Sequence, residues 1–430
     1  VRTGSVIDQD PAAGTTVDKN SEVAYTVSLG PVIEPLGAGG DLDNDTVSGQ
    51  LDKVASEVEV VREFDLGATP YDGTGDRAQE LALAERVGIL RDPGAIDAEE
   101  RALKRMGLLG NGDDLGQLLE RLYGQARPIW YLEEDGRQSV LESIDKFDAG
   151  QRAEAAREFG RTATLEENGA NAARVGDKSR GDAAIAAYAL EQGDGTAVLI
   201  DWAEQFGNMN KANQVIVPGD DGVFASMPPL LQREYSFPFL EGRNFVTQLR
   251  KQDGWSSVDG AWGRLPESTE HIMHPNKYPN DRPTTIVIDG IAGRLGGGWN
   301  EQWQQTMGEL RIGVWLADGQ PGEQAGPRAP VKLPKANAAA GWGGDRLVSL
   351  TGPDGQWAIV WQTKWDSSDD VAQFEKAANQ AIADLPGAHA VVTEDVSSGV
   401  SNPVLVLLTG SQGTLDAVAA SLGVDVGAPE

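Results

Sequence analysis

Apolar residues recur every three or four positions from residue 51 to about residue 250, which is the spacing of one face of an α-helix. The clearest stripe is formed by Leu115, Leu118, Leu119 and Leu122. Two alanine-rich stretches, at 150–167 and 181–206, predict long helices. Two short apolar runs, at 129–132 and 213–216, predict strands. The sequence therefore predicts a mostly helical domain over residues 51–335.

The pattern changes near residue 346, where β-branched and aromatic residues form short runs bounded by turn residues. Two strands flank the turn sequence GPDGQ, a helix begins in an acidic stretch that suits a helix N-terminus, and two strands and a helix follow. The segments are Leu347–Thr351, Trp357–Gln362, Asp366–Ile382, His389–Thr393, Pro403–Leu408 and Thr414–Leu422. The order ββαββα predicts an α+β C-terminal part over 336–430, which places the chain in the α+β class.

Composition excludes several classes of function. The chain has 430 residues with 36 Lys and Arg against 66 Asp and Glu, so its net charge of −30 repels nucleic-acid phosphates and anionic lipid. It has no Cys, which excludes disulfides and thiolate zinc sites, and its three His leave any metal chemistry to carboxylates. No apolar run approaches the roughly 18–20 residues that span a bilayer. We expect no cofactor, no nucleic-acid partner and no membrane insertion.

The N-terminal part divides into a β segment at 1–30 and a Gly- and Pro-rich acidic linker at 31–50. The linker runs into a sequence with the spacing of a calcium loop, in which the twelfth-position residue is Asp rather than Glu and the sixth is Thr46 rather than Gly. The candidate ligands are Asp41, Asp43, Asp45 and Asp52. We interpret the segment as a solvated acidic linker and keep these four carboxylates as its calcium alternative.

The first 30 residues resemble the C-terminal half of a PASTA module. The residues that match its signature are Val6, Gln9, Pro11, Gly14 and Val17. PASTA modules lie outside the bacterial cytoplasmic membrane, so the resemblance implies an extracellular or cell-surface location. The helix and strand that normally begin such a module are absent, and we interpret Val1 as a processing start. The alternative is an unrelated β-hairpin with a Pro–Gly turn.

Four ordered segments between residues 51 and 385 resemble a poorly characterised group of secreted bacterial proteins related to zinc metallopeptidases. They read SFPFLEGRNFV with GWSSVDGAW, PESTEHIMHPNKY, AAAGWGGDRL and WQTKWDSSDDVAQF. The resemblance implies a metallopeptidase-like fold for this part of the chain. No single activity belongs to the whole group, so it does not by itself imply a reaction.

Members of that group usually carry HExxH on a helix, with an acidic third ligand about 30 residues later. Residues four apart share a helix face, so two imidazoles can reach one zinc ion while the intervening Glu takes a proton from its water. At the corresponding positions this chain has Arg157, Glu158, Arg161 and Glu191. Arginine has no lone pair for a metal, so the motif predicts a degenerate site in which Glu191 pairs with one of the arginines. The alternative is an ordinary solvent-facing charged helix.

We do not expect the three histidines of the chain to form a metal site in place of the HExxH motif. His271 and His274 are three apart, but Pro275 disfavours a continuous helix through them. We expect His274 to form a local hydrogen bond, His271 to be exposed, and His389 to begin a strand with a structural role.

These observations lead to one leading hypothesis and two alternatives. The leading hypothesis is a non-catalytic, zinc-less metallopeptidase-like protein at the bacterial surface, which acts as a binding or scaffold subunit for a protein partner. The first alternative is a secreted hydrolase, such as a peptidase, with a non-standard site. The second is the protomer of a surface filament or layer, in which the N-terminal segment contacts another copy and the chain self-associates as a homo-oligomer.

Overall fold

The computed structural model describes residues 6–12, 15–19, 21, 23–27, 46–66, 71–75, 93–125, 129–132, 137–141, 144–175, 181–317, 323–324, 331–332, 336–383, 385–394 and 400–424. The elements of these residues are, in order, β1 (Val6–Asp10), β2 (Ala24–Val27), α1 (Val47–Arg62), β3 (Tyr71–Gly75), α2 (Pro93–Arg105), α3 (Leu115–Tyr123), β4 (Ile129–Leu132), β5 (Arg137–Leu141), α4 (Ala149–Val175), α5 (Asp182–Gln205), α6 (Met209–Gln214), α7 (Asp221–Ala225), α8 (Pro229–Gly263), α9 (Thr269–Met273), α10 (Ile291–Leu295), β6 (Asn300–Gln305), α11 (Gly308–Leu316), β7 (Glu323–Gln324), β8 (Val331–Lys332), β9 (Trp342–Thr351), β10 (Trp357–Trp365), α12 (Ser368–Ala383), β11 (His389–Glu394), β12 (Pro403–Thr409) and α13 (Gln412–Leu422). The predicted α+β class is confirmed.

The helical part is built around α4, α5 and α8, which the alanine-rich pattern predicted in two of three cases. Helix α5 buries most of its residues from Ala184 to Ala203, because small side chains let its neighbours approach from several sides. At the crossing of α5 and α8, Gly193 and Gly242 face each other, and a Cβ atom on either would overlap the backbone of the other helix. The two helices therefore pack backbone against backbone at this point.

The C-terminal part is a five-stranded antiparallel sheet with strand order β11-β12-β10-β9-β6. The predicted order ββαββα is present as β9, β10, α12, β11, β12 and α13. The fifth strand, β6, comes from the segment that the sequence assigned to the helical domain, and it pairs with β9 from Asn300↔Thr351 to Gln305↔Leu347. Strand β6 is polar and largely exposed, so neither apolar periodicity nor β-propensity marks it.

Both faces of this sheet are covered, because side chains alternate along each strand. One face contributes Leu347, Ile359, Trp361, Val404 and Val406 to a core shared with α2, α3, α8, α11 and α12. The other face packs on α13, on α10 and on an extended segment that carries Ile286 and Ile288; its side chains are Val348, Leu350, Val360, Leu405 and Leu407. The sheet is thus an internal layer between two cores.

Two expectations from the sequence are wrong in detail. Residues 213–216 do not form a strand, because Asn208 caps a short helix that runs through Gln214. The linker assigned to 31–50 is too long, since α1 begins at Val47 behind the Thr46 cap. Of the calcium candidates, Asp52 lies on α1, whereas Asp41, Asp43 and Asp45 lie outside the described residues. The calcium alternative stays a prediction.

Three smaller sheets complete the described part of the chain. Strands β1 and β2 pair antiparallel, as the predicted N-terminal β segment requires. Strands β3, β5 and β4 form a sheet beside the helical core, and the predicted strand at 129–132 is confirmed as β4. Strands β7 and β8 pair over two residues each. Among the described helices, none combines the length and the apolar character that crossing a bilayer requires.

Candidate functional site

The four residues of the degenerate motif meet at the contact of α4 and α5. Arg161 Nη1 lies 2.6 Å from Glu191 Oε1, and Arg161 Nε donates to Glu158 Oε2 at 3.0 Å. Arg157 Nε donates to the other Glu158 oxygen at 3.2 Å. The expected contact between Glu191 and one of the arginines is therefore present. We call Arg157, Glu158, Arg161 and Glu191 the arginine–glutamate cluster.

The arginine–glutamate cluster is buried and charge-neutral. Arg157 and Glu158 are only 2% and 3% exposed, so the alternative of a solvent-facing charged helix is wrong. Burial disfavours the charged form of Arg161, but Glu158 and Glu191 outweigh it and raise the guanidinium pKa further above its usual value. The two arginines therefore balance the charges of the two carboxylates. Arg157 Nη1 also donates a hydrogen bond to Val215 O at 3.0 Å.

A second ion-pair network, which was not predicted from the sequence, adjoins this cluster. Asp194 lies one helical turn after Glu191 and accepts both Nε and Nη2 of Arg62 from α1, at 3.0 and 3.1 Å. Arg62 also contacts Asp259 of α8 at 2.7 Å, and its guanidinium lies 4.2 Å from the centre of the Trp255 ring. The acidic residues three apart on α5 were the available signal, since such spacing puts both carboxylates on one helix face.

The segment PESTEHIMHPNKY forms a different charged cluster with residues far away in sequence. His274 Nε2 lies 2.9 Å from Glu309 Oε1 on α11. Lys277 Nζ bridges Glu270 Oε1 at 2.6 Å and Asp366 Oδ2 at 2.7 Å. Glu270 and Glu309 are each 2% exposed, whereas the His274 side chain is 35% exposed. We call His274, Glu270, Lys277, Glu309 and Asp366 the histidine cluster.

Two residues of the histidine cluster, Glu270 and His274, have pKa values that their surroundings raise. Burial raises the pKa of Glu270 to about 7, against the opposing effect of Lys277. The hydrogen bond with Glu309 raises the pKa of His274. The second oxygen of Glu309, Oε2, is buried without a hydrogen-bond partner in the part of the chain that the structure describes. A buried carboxylate thus orients an accessible imidazole, which is an arrangement suited to proton transfer.

The expectation for the other two histidines is partly corrected. His271 is 1% exposed rather than exposed, because its ring nitrogens contact Asp281 O at 2.5 Å and accept from Glu267 N at 3.2 Å. Burial lowers the pKa of His271, so the neutral ring is favoured as a structural bridge. The His274 bond is not local, since Glu309 is 35 residues away. His389 begins β11 as predicted.

Two buried carboxylates meet at the N-terminus of α11, beside the histidine cluster. Asp345 accepts from Met307 N and Gly308 N at 2.9 Å each, and from the indole N–H groups of Trp342 and Trp361 at 3.0 Å each. Asp182 accepts from Thr269 N at 2.8 Å and from Thr269 Oγ1 at 2.7 Å. Burial raises the pKa of both, that of Asp182 to about 8. Burial therefore favours the neutral, protonated form of Asp182.

Three of the four family-like segments converge on this region. Asp366 N donates to Gly341 O and Thr284 N donates to Gly343 O, both at 2.8 Å. A groove of about 390 Å³ opens next to them, and Trp342, Gly344, Asp345, Thr284 and Gln304 are among its lining residues. Residues that are far apart in sequence are thus brought together by the fold.

The described residues do not place the candidate acids in metal-binding geometry. No group of three or more His, Asp and Glu side chains within the described ranges is arranged to hold a metal ion. The arginine–glutamate cluster does not fit zinc, because two of its four side chains are guanidinium groups without a lone pair.

Comparison with known proteins adds one match. Residues 295–418 match a protein family described as a domain of unknown function (DUF8575). This range contains the sheet, α11 and α12, and with them Glu309, Asp345 and Asp366. The arginine–glutamate cluster and His274 lie outside it. No curated protein and no solved structure matches the chain.

Proposed function

We propose that this protein is a non-catalytic, metallopeptidase-like binding or scaffold subunit at the bacterial cell surface. The observation that carries the proposal is the 2.6 Å ion pair between Arg161 and Glu191, in a cluster whose charges balance internally. A divalent cation at this position would face two guanidinium groups and would compete with a short charge-assisted hydrogen bond. The positions that would hold zinc are therefore filled by a contact that stabilises the helix pair.

The PASTA-like first 30 residues support the surface location and a role in contacting other molecules. The excess of acidic residues supports a protein partner rather than nucleic acid or an anionic membrane, since both of those would be repelled. Self-association into a filament or layer is the version of this proposal in which the partner is a second copy. Sedimentation velocity at increasing protein concentration separates the two versions, since a monomer at every concentration contradicts self-association.

The test restores the missing ligands. We expect Arg157→His with Arg161→His to bind about one zinc per chain, and the parent protein to bind none, because the two new imidazoles would flank Glu158 with the spacing of HExxH. Inductively coupled plasma analysis after dialysis against zinc measures the stoichiometry. Adding Glu191→Gln should weaken the zinc site, and Arg157→His alone is the matched control with a single new imidazole.

Two outcomes contradict the proposal in different ways. If the double histidine variant folds and takes up no zinc, the resemblance to a metallopeptidase site is wrong. If the parent protein carries about one zinc and cleaves peptides in a chelator-sensitive way, the non-catalytic role is wrong.

The histidine cluster favours the hydrolase alternative as a second candidate function. His274 is accessible and is oriented by a buried carboxylate, which is how a general base is prepared for proton abstraction. In this candidate, His274 would take a proton from a water or hydroxyl group and Glu309 would stabilise the resulting imidazolium. Hydrolysis of a mixed peptide and ester library that is lost in His274→Gln, and kept in His389→Gln, would support it; a library left intact by the parent protein would contradict it.

A further inference from the structure

Arg105 is a partly buried cation that forms no ion pair with any residue the structure describes, in a protein with far more acidic than basic residues. It is the last residue of α2, and its guanidinium lies 5.0 Å from the centre of the Trp357 ring. Its Nη1 donates to Ser349 Oγ at 3.3 Å and to Leu350 O at 3.4 Å. No carboxylate of the described residues forms an ion pair with it.

The contrast with the other buried arginines shows that this arrangement is not the rule for the fold. The arginines with the least exposed side chains all contact carboxylates, namely Arg62, Arg157, Arg161, Arg233 and Arg311. Removing a cation from water costs free energy unless a charge or several hydrogen bonds compensate it. Among the described residues, the contacts that offset the burial of the Arg105 charge are two long hydrogen bonds and one aromatic ring.

A second cation, Arg101, further disfavours the charged form of Arg105 when no anion is bound. Arg101 lies four residues earlier on α2, is exposed, and has no ion pair among the described residues. Like charges four apart on a helix repel each other. Burial, together with Arg101, lowers the pKa of Arg105 to about 10. The C-terminus of a helix accounts for one cation here, but it does not account for two arginines four residues apart.

Several donor groups at this position have no acceptor among the described residues. The Nε and Nη2 groups of Arg105 have no acceptor among the described residues, and neither has the indole N–H of Trp357. Stacking on the ring and the two bonds from Nη1 hold the guanidinium in one orientation, so its remaining edge is pre-organised. A planar guanidinium edge matches the two oxygens of a carboxylate or a phosphate.

We propose that Arg105, Arg101 and Trp357 form a binding site for the oxyanion group, carboxylate or phosphate, of a small ligand. This site lies at the end of the sheet where β9 and β10 meet, and it does not depend on the function proposed above. The negative net charge of the protein opposes the binding of an anion, but screening at ordinary ionic strength reduces the effect of charges beyond about 10 Å, so the nearby arginines contribute most.

The test follows the indole N–H signals of the protein labelled with ¹⁵N-tryptophan, with the Trp357 signal assigned by Trp357→Phe. Sodium phosphate and sodium succinate are titrated in separate experiments, with chloride adjusted to constant ionic strength. We expect a saturable shift of the Trp357 signal with at least one of them. A preference for phosphate would indicate a phosphate ester as the natural ligand, and a preference for succinate would indicate a carboxylate.

The variants separate a specific site from general charge. We expect Arg105→Gln to weaken binding at least about tenfold, because it removes a charge-assisted pair of hydrogen bonds. Arg105→Lys should also weaken it, since the charge is kept and the forked geometry is lost. Arg101→Gln, which changes an exposed residue and leaves the fold intact, should weaken it several-fold. Arg294→Gln removes an exposed arginine on α10 and should have no effect.

Unchanged signals from the other tryptophans would report that each variant is folded. The proposal is overturned if neither anion moves the Trp357 signal in a saturable way. It is also overturned if Arg101→Gln and Arg105→Gln titrate like Arg294→Gln.

Discussion

Among single residues, the buried carboxyl groups of Asp345 and Asp182 differ in the number of hydrogen bonds that they accept. Asp345 accepts four hydrogen bonds, including two at the N-terminus of a helix, whereas among the described residues Asp182 accepts two, both from Thr269. A carboxyl group with few donors in an apolar site retains its proton. Asp182 therefore serves the fold as a neutral hydrogen-bonding group, which no sequence pattern around it indicates.

This state of Asp182 makes stability depend on pH. The folded-state pKa is about 8 and the ordinary value is 3.8, so the contribution is complete below about pH 4 and is lost as the pH rises through 8. The slope from this one group is at most about 1.4 kcal/mol per pH unit. We expect Asp182→Asn to remove it, because an amide reproduces the neutral acid.

Urea unfolding at pH 5, 7 and 9 measures this effect. Between pH 5 and pH 9 the parent protein should lose more stability than Asp182→Asn does. The exposed Asp289→Asn should behave like the parent. Parallel pH profiles for the parent and Asp182→Asn would show that Asp182 is ionised in the folded protein.

At the scale of elements, the crossing of α5 and α8 depends on two glycines. Helix α8 offers an internal comparison, since a Cβ atom on Gly242 would overlap Ala189 O, whereas one on Gly260 would meet nothing within 4 Å. We expect Gly242→Ala to destabilise the protein by about 3 kcal/mol, because α5 and α8 must separate. Gly260→Ala should be neutral or should stabilise by about 0.4–1 kcal/mol.

Thermal and urea unfolding of the two variants measure the difference. Equal stability of Gly242→Ala and Gly260→Ala would contradict the backbone-to-backbone crossing.

Elements with a strong local signal were predicted from the sequence, and elements that depend on distant partners were not. The last two strands and α13 follow from apolar runs and turn residues, and α4 and α5 follow from alanine-rich periodicity. Strand β6 is exposed and polar, so only its pairing with β9 defines it. For the same reason, the motif predicted a contact between Glu191 and either Arg157 or Arg161, but the bond between His274 and Glu309 could not be predicted.

In the whole molecule, the arginines with the least exposed side chains are paired with carboxylates, whereas the chain overall has an excess of acidic residues. Inside, arginines and acids form closed networks that tie α1, α4, α5 and α8 together. Overall, 66 acidic residues face 36 basic ones, so the surface of the folded protein repels itself. The internal pairs are shielded from salt by burial, whereas the surface repulsion is not.

We therefore expect sodium chloride to stabilise the protein. Raising the concentration from about 0.01 M to about 0.1 M shortens the screening length from about 30 Å to about 10 Å, which reduces the self-repulsion of the folded state. Differential scanning calorimetry should show a higher Tm at the higher concentration. A Tm that falls over this range would mean that exposed ion pairs outweigh the net charge.

Helix α8 belongs to both large cores. Its first turns place Leu230, Leu231, Tyr235 and Phe239 against the sheet side, and its later turns place Phe245, Val246, Leu249 and Trp262 in the helical side. The helix is kinked at Asp253 and Gly254, and the segment before this kink already contributes side chains to both cores. Because α8 contributes to both cores, we expect the two regions to unfold together in a single calorimetric transition, although the chain divides into helical and sheet regions.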